Sequence, residues 1–301
     1  MKTLLSLFFV LNIFSSLATV PATVYNVRDY GATGRKQDDA TAAIAKAVQA
    51  ARTAGGGTVQ VPPGDYTAYR IVLYDNITLQ LDAGSVLYVD LDHPAVVEDD
   101  GFIFADNAKN VAIRGRGKID GQAKYKWADY TGDDVEIEKE VALAKKAGVE
   151  IKRSYRVGKS LFMFLLKECS DVLIEDITCE NSSIWCMRIW GSNRVTIRGV
   201  TILSDLKMGV NSDGIDLVGT SNAHITGCTI STADDAICLK SDVWPGGTKA
   251  YPVENVLVDN CILTSSSTAL ISAIASSGSR TKASASTCRT GPLSATSSIP
   301  T

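Results

Sequence analysis

The chain is poor in the residue patterns that form metal sites and nucleic-acid surfaces. Its 301 residues include only two histidines, His93 and His224, too far apart to act as joint ligands. Its seven cysteines contain no Cys-x-x-Cys or Cys/His spacing of the kind that binds zinc. The net charge of −3 and the pI near 5.5 exclude the basic stripe typical of nucleic-acid-binding proteins. We therefore expect no metal, no cofactor and no nucleic-acid partner.

Long apolar runs are confined to the first residues. After residue 22, no stretch is long and apolar enough to span a membrane, so we expect no membrane partner. Before it, Lys2, an apolar run from Leu4 to Phe14 and small residues up to Ala22 match a secretory signal peptide. A buried first strand is the alternative. We assign 1–22 to a signal peptide and expect a secreted, extracellular protein in which disulfides can form.

Short segments with alternating Val, Ile and Leu recur along the chain. Each opens with Asn, Asp or a similar polar residue and closes with Gly or a polar break. The alternation predicts strands with one buried face. A repeat length of roughly 20 to 30 residues predicts a solenoid. The leucine-rich repeat consensus is absent. We therefore predict an all-β fold, a parallel β-helix whose coils stack about 4.8 Å apart. The segments are 75–87, 109–121, 170–182, 193–202, 222–230 and 254–263.

Three segments depart from this repeat and set the predicted domain organisation. "QDDATAAIAKAVQAARTAGGG" predicts an N-terminal capping helix, with Asp38 or Asp39 as its N-cap and glycines at its end. Residues 123–158 are charged and helix-prone, which predicts a helical insertion with a solvated face. Residues 271–301 are rich in Ser, Thr and Ala and form either a low-complexity tail or an aberrant reading frame. The β-helix domain is then 23–270.

Acidic residues lie inside two segments that otherwise read as buried strand. Asp213 in "NSDGID" and Asp234 in "TADDAI" are separated by about one coil, and Asp235 follows directly. Residues one coil apart lie roughly 5 Å apart along the axis. Like charges at that distance raise one pKa, and paired carboxylates perform glycoside hydrolysis. An Asp-Gly pair alone is usually a turn; its combination with Asp-Asp on the next coil favours a site.

Several landmarks together resemble one known family. "YNVRDYGATG", "GGGTVQVPPGDY", "RGRGKIDGQ" and "NSDGIDLVGTSNAHITGCTISTADDAICLKS" are similar to segments of the pectin-degrading glycoside hydrolases of family 28, the polygalacturonase group. The resemblance runs from about residue 24 to 270. It implies a right-handed parallel β-helix of the pectin-lyase-like type and an inverting mechanism without a metal.

The resemblance also implies roles for individual residues. Asn211-Ser212-Asp213 matches the Asn-Thr-Asp motif of the family, and Ala233-Asp234-Asp235 matches its Gly-Asp-Asp motif. It implies that Asp234 is the general acid, and that Asp213 and Asp235 together orient and deprotonate the attacking water. An inverting pair of carboxyl groups is usually about 6.5–9.5 Å apart, which admits that water.

Three further residues are candidates for binding substrate: Asn211, Asp216 and Lys240. Asn211 belongs to the first matched motif, while Asp216 and Lys240 follow the catalytic candidates closely in sequence. Lys240 has two interpretations. It either binds the carboxylate of a uronic acid or is an ordinary surface lysine.

Two family motifs have no counterpart in a strand context. No Gly-His-Gly follows the acidic pairs, since the corresponding "SSSTALISA" contains no histidine, and Arg280-Thr281-Lys282 spells Arg-x-Lys only within the tail. The missing histidine indicates a divergent exo-acting or rhamnogalacturonan-type branch, and the missing coils indicate a truncated chain.

The expected function is that of a secreted, monomeric hydrolase of O-glycosidic bonds in pectin-type polysaccharide. The alternative is a β-helix that binds polysaccharide without cleaving it. A pectate lyase is a third interpretation, but such enzymes use Ca²⁺, and no set of calcium ligands is evident in the sequence.

Overall fold

The chain winds through three parallel sheets that form a parallel β-helix, and the predicted fold class is confirmed. The structure is a computed structural model that describes residues 23–123, 127–129, 135–148, 154–156, 158–209, 211–241, 251–273, 283–286 and 289–290. The predicted signal peptide and most of the predicted tail lie outside these residues. Each coil passes through sheets 1, 2 and 3 in that order.

The strands of each sheet follow one another from the N-terminal coil onward. Sheet 1 consists of Val24–Asn26, Gly57–Val61, Ile77–Leu81, Lys109–Gly115, Ser170–Glu175, Asn193–Arg198, Ser221–Thr226, Glu254–Asp259 and Ala283–Ser286. Sheet 2 consists of Gly64–Ala68, Ser85–Val89, Lys118–Asp120, Thr178–Glu180, Thr201–Leu203, Thr229–Thr232, Ile262–Ser265 and Arg289–Thr290. Sheet 3 consists of Ile71–Val72, Asp100–Asp106, Leu161–Lys167, Met187–Trp190, Ile215–Val218, Ile237–Lys240 and Leu270–Ala273.

The alternating apolar residues stack into a continuous core between the sheets. In sheet 1, Val172 pairs with Val195, which pairs with Ala223 on the next coil. Further along the same strands, Ile174 pairs with Ile197, and these positions are all buried. Because successive strand residues point to opposite faces, the residues between them face outward. Stacking of similar inward positions therefore fixes the register of one coil on the next.

The polar residues at the start of the sheet 1 strands lie in turns that stack from coil to coil, forming a ladder. Asn76, Asn110, Asn222 and Asn255 have positive φ angles between 54° and 60°. Asn tolerates this left-handed region better than most residues. The Asn110 amide donates to the Asn76 side-chain oxygen at 3.0 Å, and the Asn255 amide donates to that of Asn222 at 3.1 Å. The ladder explains why these repeats open with Asn.

The predicted capping helix is Thr41–Thr53, preceded by the 3₁₀ helix Val27–Tyr30. Its apolar face, including Ile44 and Val48, is buried against the first coil. The residue at the N-cap position is Ala40, whose side chain cannot accept a hydrogen bond. Asp39 instead accepts from the Thr41 N–H at 2.8 Å, which satisfies one free donor of the first turn.

The segments outside the regular coils also contain described elements. The predicted insertion holds the helix Val135–Lys146 and the antiparallel strand pair Trp127–Asp129 and Ser154–Arg156. The predicted tail contains Ala283–Ser286 and Arg289–Thr290, which continue sheets 1 and 2. In the described part of the chain, no helix is both long and apolar enough to cross a membrane. The six cysteines in that part have free thiols.

Candidate active site

The acidic residues come together just before two neighbouring strands of sheet 3. Ile215 pairs with Ile237 on the next coil, and the Gly214 N–H donates to the Asp235 carbonyl at 2.8 Å. This register places Asp213 level with Asp235. The spacing of the two motifs predicts that Asp234 stacks on Asp213. The coil is one residue longer than that spacing, so Asp235 stacks on Asp213 and Asp234 lies one residue before it.

The three carboxylates form one compact cluster. One oxygen each of Asp213, Asp234 and Asp235 lies within 4.8 Å of the other two. This figure applies to the nearest oxygens, whereas the roughly 6.5–9.5 Å of an inverting pair is the separation of whole carboxyl groups, so the two distances are not the same quantity. Asp213 is buried, with 4% of its surface exposed, while Asp234 and Asp235 are half-buried.

Gly214 allows the two coils to approach each other at this point. A Cβ at residue 214 would lie 2.3 Å from the Ala236 carbonyl oxygen and 2.8 Å from the Ile230 side chain. Neither atom belongs to a flexible side-chain end, so any other residue would push the coils apart. Coil packing therefore requires glycine at residue 214.

The following coil fixes Asp235. Its Oδ1 accepts hydrogen bonds from the Ser267 hydroxyl at 2.9 Å and from the Thr268 N–H at 3.1 Å. Ser267 and Thr268 lie in the segment that corresponds to the family histidine motif. Hydroxyl and amide donors thus support the cluster from this segment.

The Asp234 backbone is also anchored. Its carbonyl accepts from the Thr232 hydroxyl at 2.8 Å and from the Ser265 hydroxyl at 2.7 Å. Its side-chain Oδ1 accepts from the Asp235 N–H at 2.9 Å. These bonds hold the Asp-Asp corner in place.

Lys240 supplies the positive charge beside the acids. Its Nζ lies 2.5 Å from Asp216 Oδ1 and 3.5 Å from Asp213 Oδ2. It also lies 3.4 Å from the centroid of the Trp185 indole, a cation–π contact. Of the two interpretations of Lys240, the structure excludes the ordinary surface lysine, since 22% of its side chain is exposed and three groups contact it.

Asp216 lies behind the cluster. It is fully buried and its Oδ1 is bonded to Lys240. It was predicted to bind substrate, but its burial keeps it from contacting a polysaccharide in this conformation. It instead pairs with Lys240.

Burial and charge shift the proton affinity of these groups. Desolvation raises the pKa of Asp213 to about 7, with Asp234 and Asp235 adding to the rise and Lys240 opposing it. Desolvation also raises the pKa of Asp216, and the charge of Asp213 adds to this. Burial disfavours the charged form of Lys240, but Asp216 outweighs it and the pKa of the ammonium group is raised. Asp213 can therefore exchange a proton near neutral pH.

Asn211 contacts the same indole as Lys240. Its side-chain Oδ1 accepts from the Trp185 Nε1–H at 3.0 Å, and its φ is 54°. This predicted substrate-binding residue is exposed at the edge of the cluster. Trp185 thus joins the two predicted binding residues, Asn211 and Lys240.

An aromatic cluster adjoins the carboxylates on sheet 3. Phe162, Leu165 and Ile184 are buried together, and Phe104 and Trp185 pack against them. The Arg188 guanidinium lies about 5 Å from the rings of Phe162, Trp185 and Trp190. Apolar and aromatic surface beside polar groups is typical of a ligand site.

The sequence interpretation did not include Trp185, Arg188, Ser267 or Thr268. The strand register places Trp185 level with Asp213 on the preceding coil, and Thr268 level with Asp235 on the following one. The available signal was "SSIWCMRIW", an aromatic and basic segment within a strand repeat.

Both histidines lie elsewhere. His93 stacks on Tyr69, and His224 lies 3.3 Å from Asp259 on sheet 1. Neither residue takes part in the acidic cluster.

The carboxylate cluster has the spacing to share a cation, but it also has a resident positive charge. Asp213, Asp234 and Asp235 are the candidate ligands, and Lys240 already contacts Asp213. An acidic cluster of this kind is common in proteins without a bound metal. No described group beyond these acids indicates a metal site.

Sequence comparisons match the chain to a family of glycosyl hydrolases. The model of glycosyl hydrolases family 28 matches residues 54–244. A probable polygalacturonase of Vitis vinifera is 26% identical over 234 residues, covering 71% of this chain and 43% of that protein. An exo-poly-alpha-D-galacturonosidase of Dickeya chrysanthemi is 24% identical over 288 residues, covering 83% and 47%. The chain therefore spans about half the length of the curated relatives it matches.

Solved structures share the fold. An exopolygalacturonase of Thermotoga maritima has a TM-score of 0.69 at 25% identity, covering 89% of this chain and 66% of that one. A family 28 exopolygalacturonase of Yersinia enterocolitica has a TM-score of 0.68 at 19% identity, covering 89% and 54%. Because the family model matches more than half of the chain, as the motif resemblance implied, this protein belongs to glycosyl hydrolases family 28.

Proposed function

We propose that the chain hydrolyses O-glycosidic bonds in galacturonan-type pectin at the cluster of Asp213, Asp234 and Asp235. The observation that carries the proposal is the meeting of these three carboxylates on adjacent coils in a family 28 chain. Curated relatives named as polygalacturonases support the reaction type. Hydrolysis needs only a proton donor, a proton acceptor and water, and the cluster can supply the first two.

The roles follow from the environment of each acid. Asp213 and Asp235 lie level on neighbouring coils, so a water between them can be oriented by both. Asp213 has a pKa of about 7, which suits acceptance of the water proton. Asp234 is the proposed acid toward the glycosidic oxygen, the role implied by the match of Ala233-Asp234-Asp235 to the Gly-Asp-Asp motif of the family. The water would attack the anomeric carbon from the face opposite to Asp234 and invert its configuration.

The exo mode of cleavage is the finer part of the proposal. Exopolygalacturonases of Zea mays and Thermotoga maritima are among the similar proteins. A rhamnogalacturonan-type specificity is the other branch that the sequence indicates. We also propose that the chain is exported, on the strength of its signal-peptide pattern, and that it acts as a monomer.

The test is product analysis with the purified chain. Polygalacturonate and rhamnogalacturonan are incubated separately, and reducing ends and product sizes are followed over time. An exo-acting polygalacturonase releases one small product of constant size from the start, whereas endo cleavage gives a falling series of oligosaccharides. Binding to either polymer without new reducing ends would overturn the proposal in favour of a non-catalytic polysaccharide-binding protein.

A further inference from the structure

Lys240 has three contacts that together fix its position. It ends the strand Ile237–Lys240 in sheet 3, one coil after Asp213 and Asp216. Its ammonium group lies between Asp216 Oδ1 at 2.5 Å and Asp213 Oδ2 at 3.5 Å, against the face of Trp185. Since Asp216 is fully buried, withdrawal of the ammonium group would leave a buried carboxyl group without its hydrogen-bond partner.

The same contacts decide how Asp213 is oriented. Lys240 binds only Oδ2 of Asp213. Oδ1 is buried and accepts no hydrogen bond from the described residues. One oxygen is thus held by the ammonium group and the other is enclosed by the protein, so the carboxyl group has a fixed orientation. A carboxylate that is fixed on one side is preorganised for proton transfer.

The contacts also argue against Lys240 as a ligand of the substrate. Its single positive charge already faces two carboxylates, Asp216 and Asp213. A uronic acid carboxylate would have to compete with both and would lie beside the negative charges of Asp234 and Asp235. Lys240 is better suited to compensate the cluster than to attract another anion.

We propose that Lys240 is a positioning residue, which clamps Asp216 and Asp213 against Trp185 and thereby holds the Asp213 carboxyl group in the orientation in which it takes up the proton of the attacking water. This assignment rests on the proposed function, because it names a role in the same reaction. It replaces the binding of a uronate carboxylate, the alternative that the sequence left open for Lys240.

Removal of Lys240 has a defined electrostatic consequence. Lys240 is the cation that contacts Asp213 and favours its ionised form. Without it, the pKa of Asp213 rises further, so the basic form is reached only at higher pH. The charged or titratable groups around Asp213 are Asp216, Asp234, Asp235, Cys238, Lys240 and, level with Asp216 on the preceding coil, Arg188.

The experiment compares Lys240→Met, Lys240→Arg and the control Lys118→Met. Lys118 is a suitable control because it is also half-buried and bonded to a carboxylate, Glu180 at 3.0 Å, but on sheet 2. The pH profiles of kcat and KM are measured with polygalacturonate. Lys240→Met should move the acidic limb of kcat up by about one pH unit or more while KM changes less than about threefold. Lys240→Arg should restore the limb, and Lys118→Met should not move it.

Opposite results overturn the assignment. A KM raised about tenfold or more with the acidic limb in place would identify Lys240 as a substrate ligand. Equal profiles for all variants would show that Lys240 has no role in the reaction. If Lys240→Met does not fold, Lys240→Gln, which keeps hydrogen-bonding atoms, takes its place in the same comparison.

A second measurement separates this assignment from the proposed function. Urea unfolding is followed from about pH 4 to 9 for wild type and Lys240→Met, which requires no turnover. The pH range over which stability declines should extend to higher pH in Lys240→Met, because the folded pKa of Asp213 is then higher. An unchanged range would reject the assignment even in an active enzyme. If the pH range of the decline shifts but the chain has no activity, the positioning role of Lys240 stands and the proposed hydrolysis is rejected.

Discussion

Sheets 1 and 3 are built from the same coils but use charge in opposite ways. On the outer face of sheet 1, Arg194 pairs with Asp171 at 2.6 Å, one coil apart, and about half of each side chain is exposed. On sheet 3, the same stacking brings like charges, Asp213 and Asp235, together in a more buried place. Coil stacking fixes the distance in both places. Burial and the sign of the charges decide whether the result is a screened surface pair or a set of acids with altered pKa values.

The largest expected effect comes from removing the proposed acid. Asp234→Asn should lower kcat about 10²- to 10⁴-fold, since general acid catalysis contributes that much, while oligogalacturonate still binds. Asp171→Asn on sheet 1 is the matched control and should change kcat less than about twofold. Initial rates of reducing-end release give kcat, and calorimetry gives the affinity for oligogalacturonate. A kcat of Asp234→Asn equal to that of wild type would show that Asp234 is not the general acid.

Stability should depend on pH in opposite senses at the two sheets. The folded pKa of Asp213 is raised by burial from 3.8 to about 7, so its contribution to stability is present at low pH and is lost as the pH rises from about 4 to 7. The loss is on the order of a few kcal/mol. In Asp171, the hydrogen bond from Arg194 lowers the pKa, so its contribution is present above the unfolded pKa and is lost at acid pH.

Urea unfolding of wild type, Asp213→Asn and Asp171→Asn across about pH 3 to 8 measures this contrast. Asp213→Asn should make the decline between about pH 4 and 7 shallower, and the remaining decline comes from Asp216, whose pKa burial also raises. Asp171→Asn should alter the curve only at the acid end. A wild-type stability that increases steadily through this window would show that Asp213 is not held in the way described.

The coils could be predicted from sequence because their determinants are local. Alternating Val and Ile define the inward positions, and Asn at residues 76, 110, 222 and 255 marks the left-handed turns. The strand Ala283–Ser286 could not be predicted this way, since its alternating Ala and Ser include none of the larger Val, Ile or Leu that mark an inward face. Its pairing with sheet 1 follows from stacking on the preceding coil.

The site was only partly predictable, since the register between its coils depends on the lengths of the turns. The acids were found from their spacing, but the pairing of Ile215 with Ile237 brings Asp213 level with Asp235. Trp185 and Thr268 come from neighbouring coils of other lengths, and a fixed period cannot align residues across such variable loops.

The burial of Asp216 is equally hidden from sequence, because a charged residue inside a strand is normally assigned to the outer, solvated face. Its position becomes clear only when Lys240 of the next coil is seen to bond to it. A contact between two coils of unknown register leaves no local signal in either segment.

The exposed pair on sheet 1 should contribute little to stability. Arg194→Gln removes the bond to Asp171, and exposed pairs are largely screened by salt. Its urea midpoint should stay close to that of wild type, with any difference disappearing in concentrated salt. By contrast, removal of one partner from a buried pair costs about 3–5 kcal/mol. A large loss of stability in Arg194→Gln would contradict the distinction between the sheets.

Metal removal should have the smallest effect. Because Lys240 already supplies positive charge at the carboxylates of sheet 3, we expect dialysis against EDTA to leave the initial rate unchanged. Added Ca²⁺ should not increase it. A rate that is lost with EDTA and restored by Ca²⁺ would favour the lyase chemistry that the sequence left as a third interpretation.

The configuration of the first product tests the central claim most directly, namely that Asp213 and Asp235 deliver water to the side of the sugar opposite to Asp234. Proton NMR of a polygalacturonate digest in D₂O records the anomeric signal of each new reducing end before mutarotation. The account predicts that the new end appears first with inverted configuration in wild type and that its signal is strongly reduced in Asp234→Asn. Retained configuration in the first product, or no new reducing end from the wild-type chain, would contradict it.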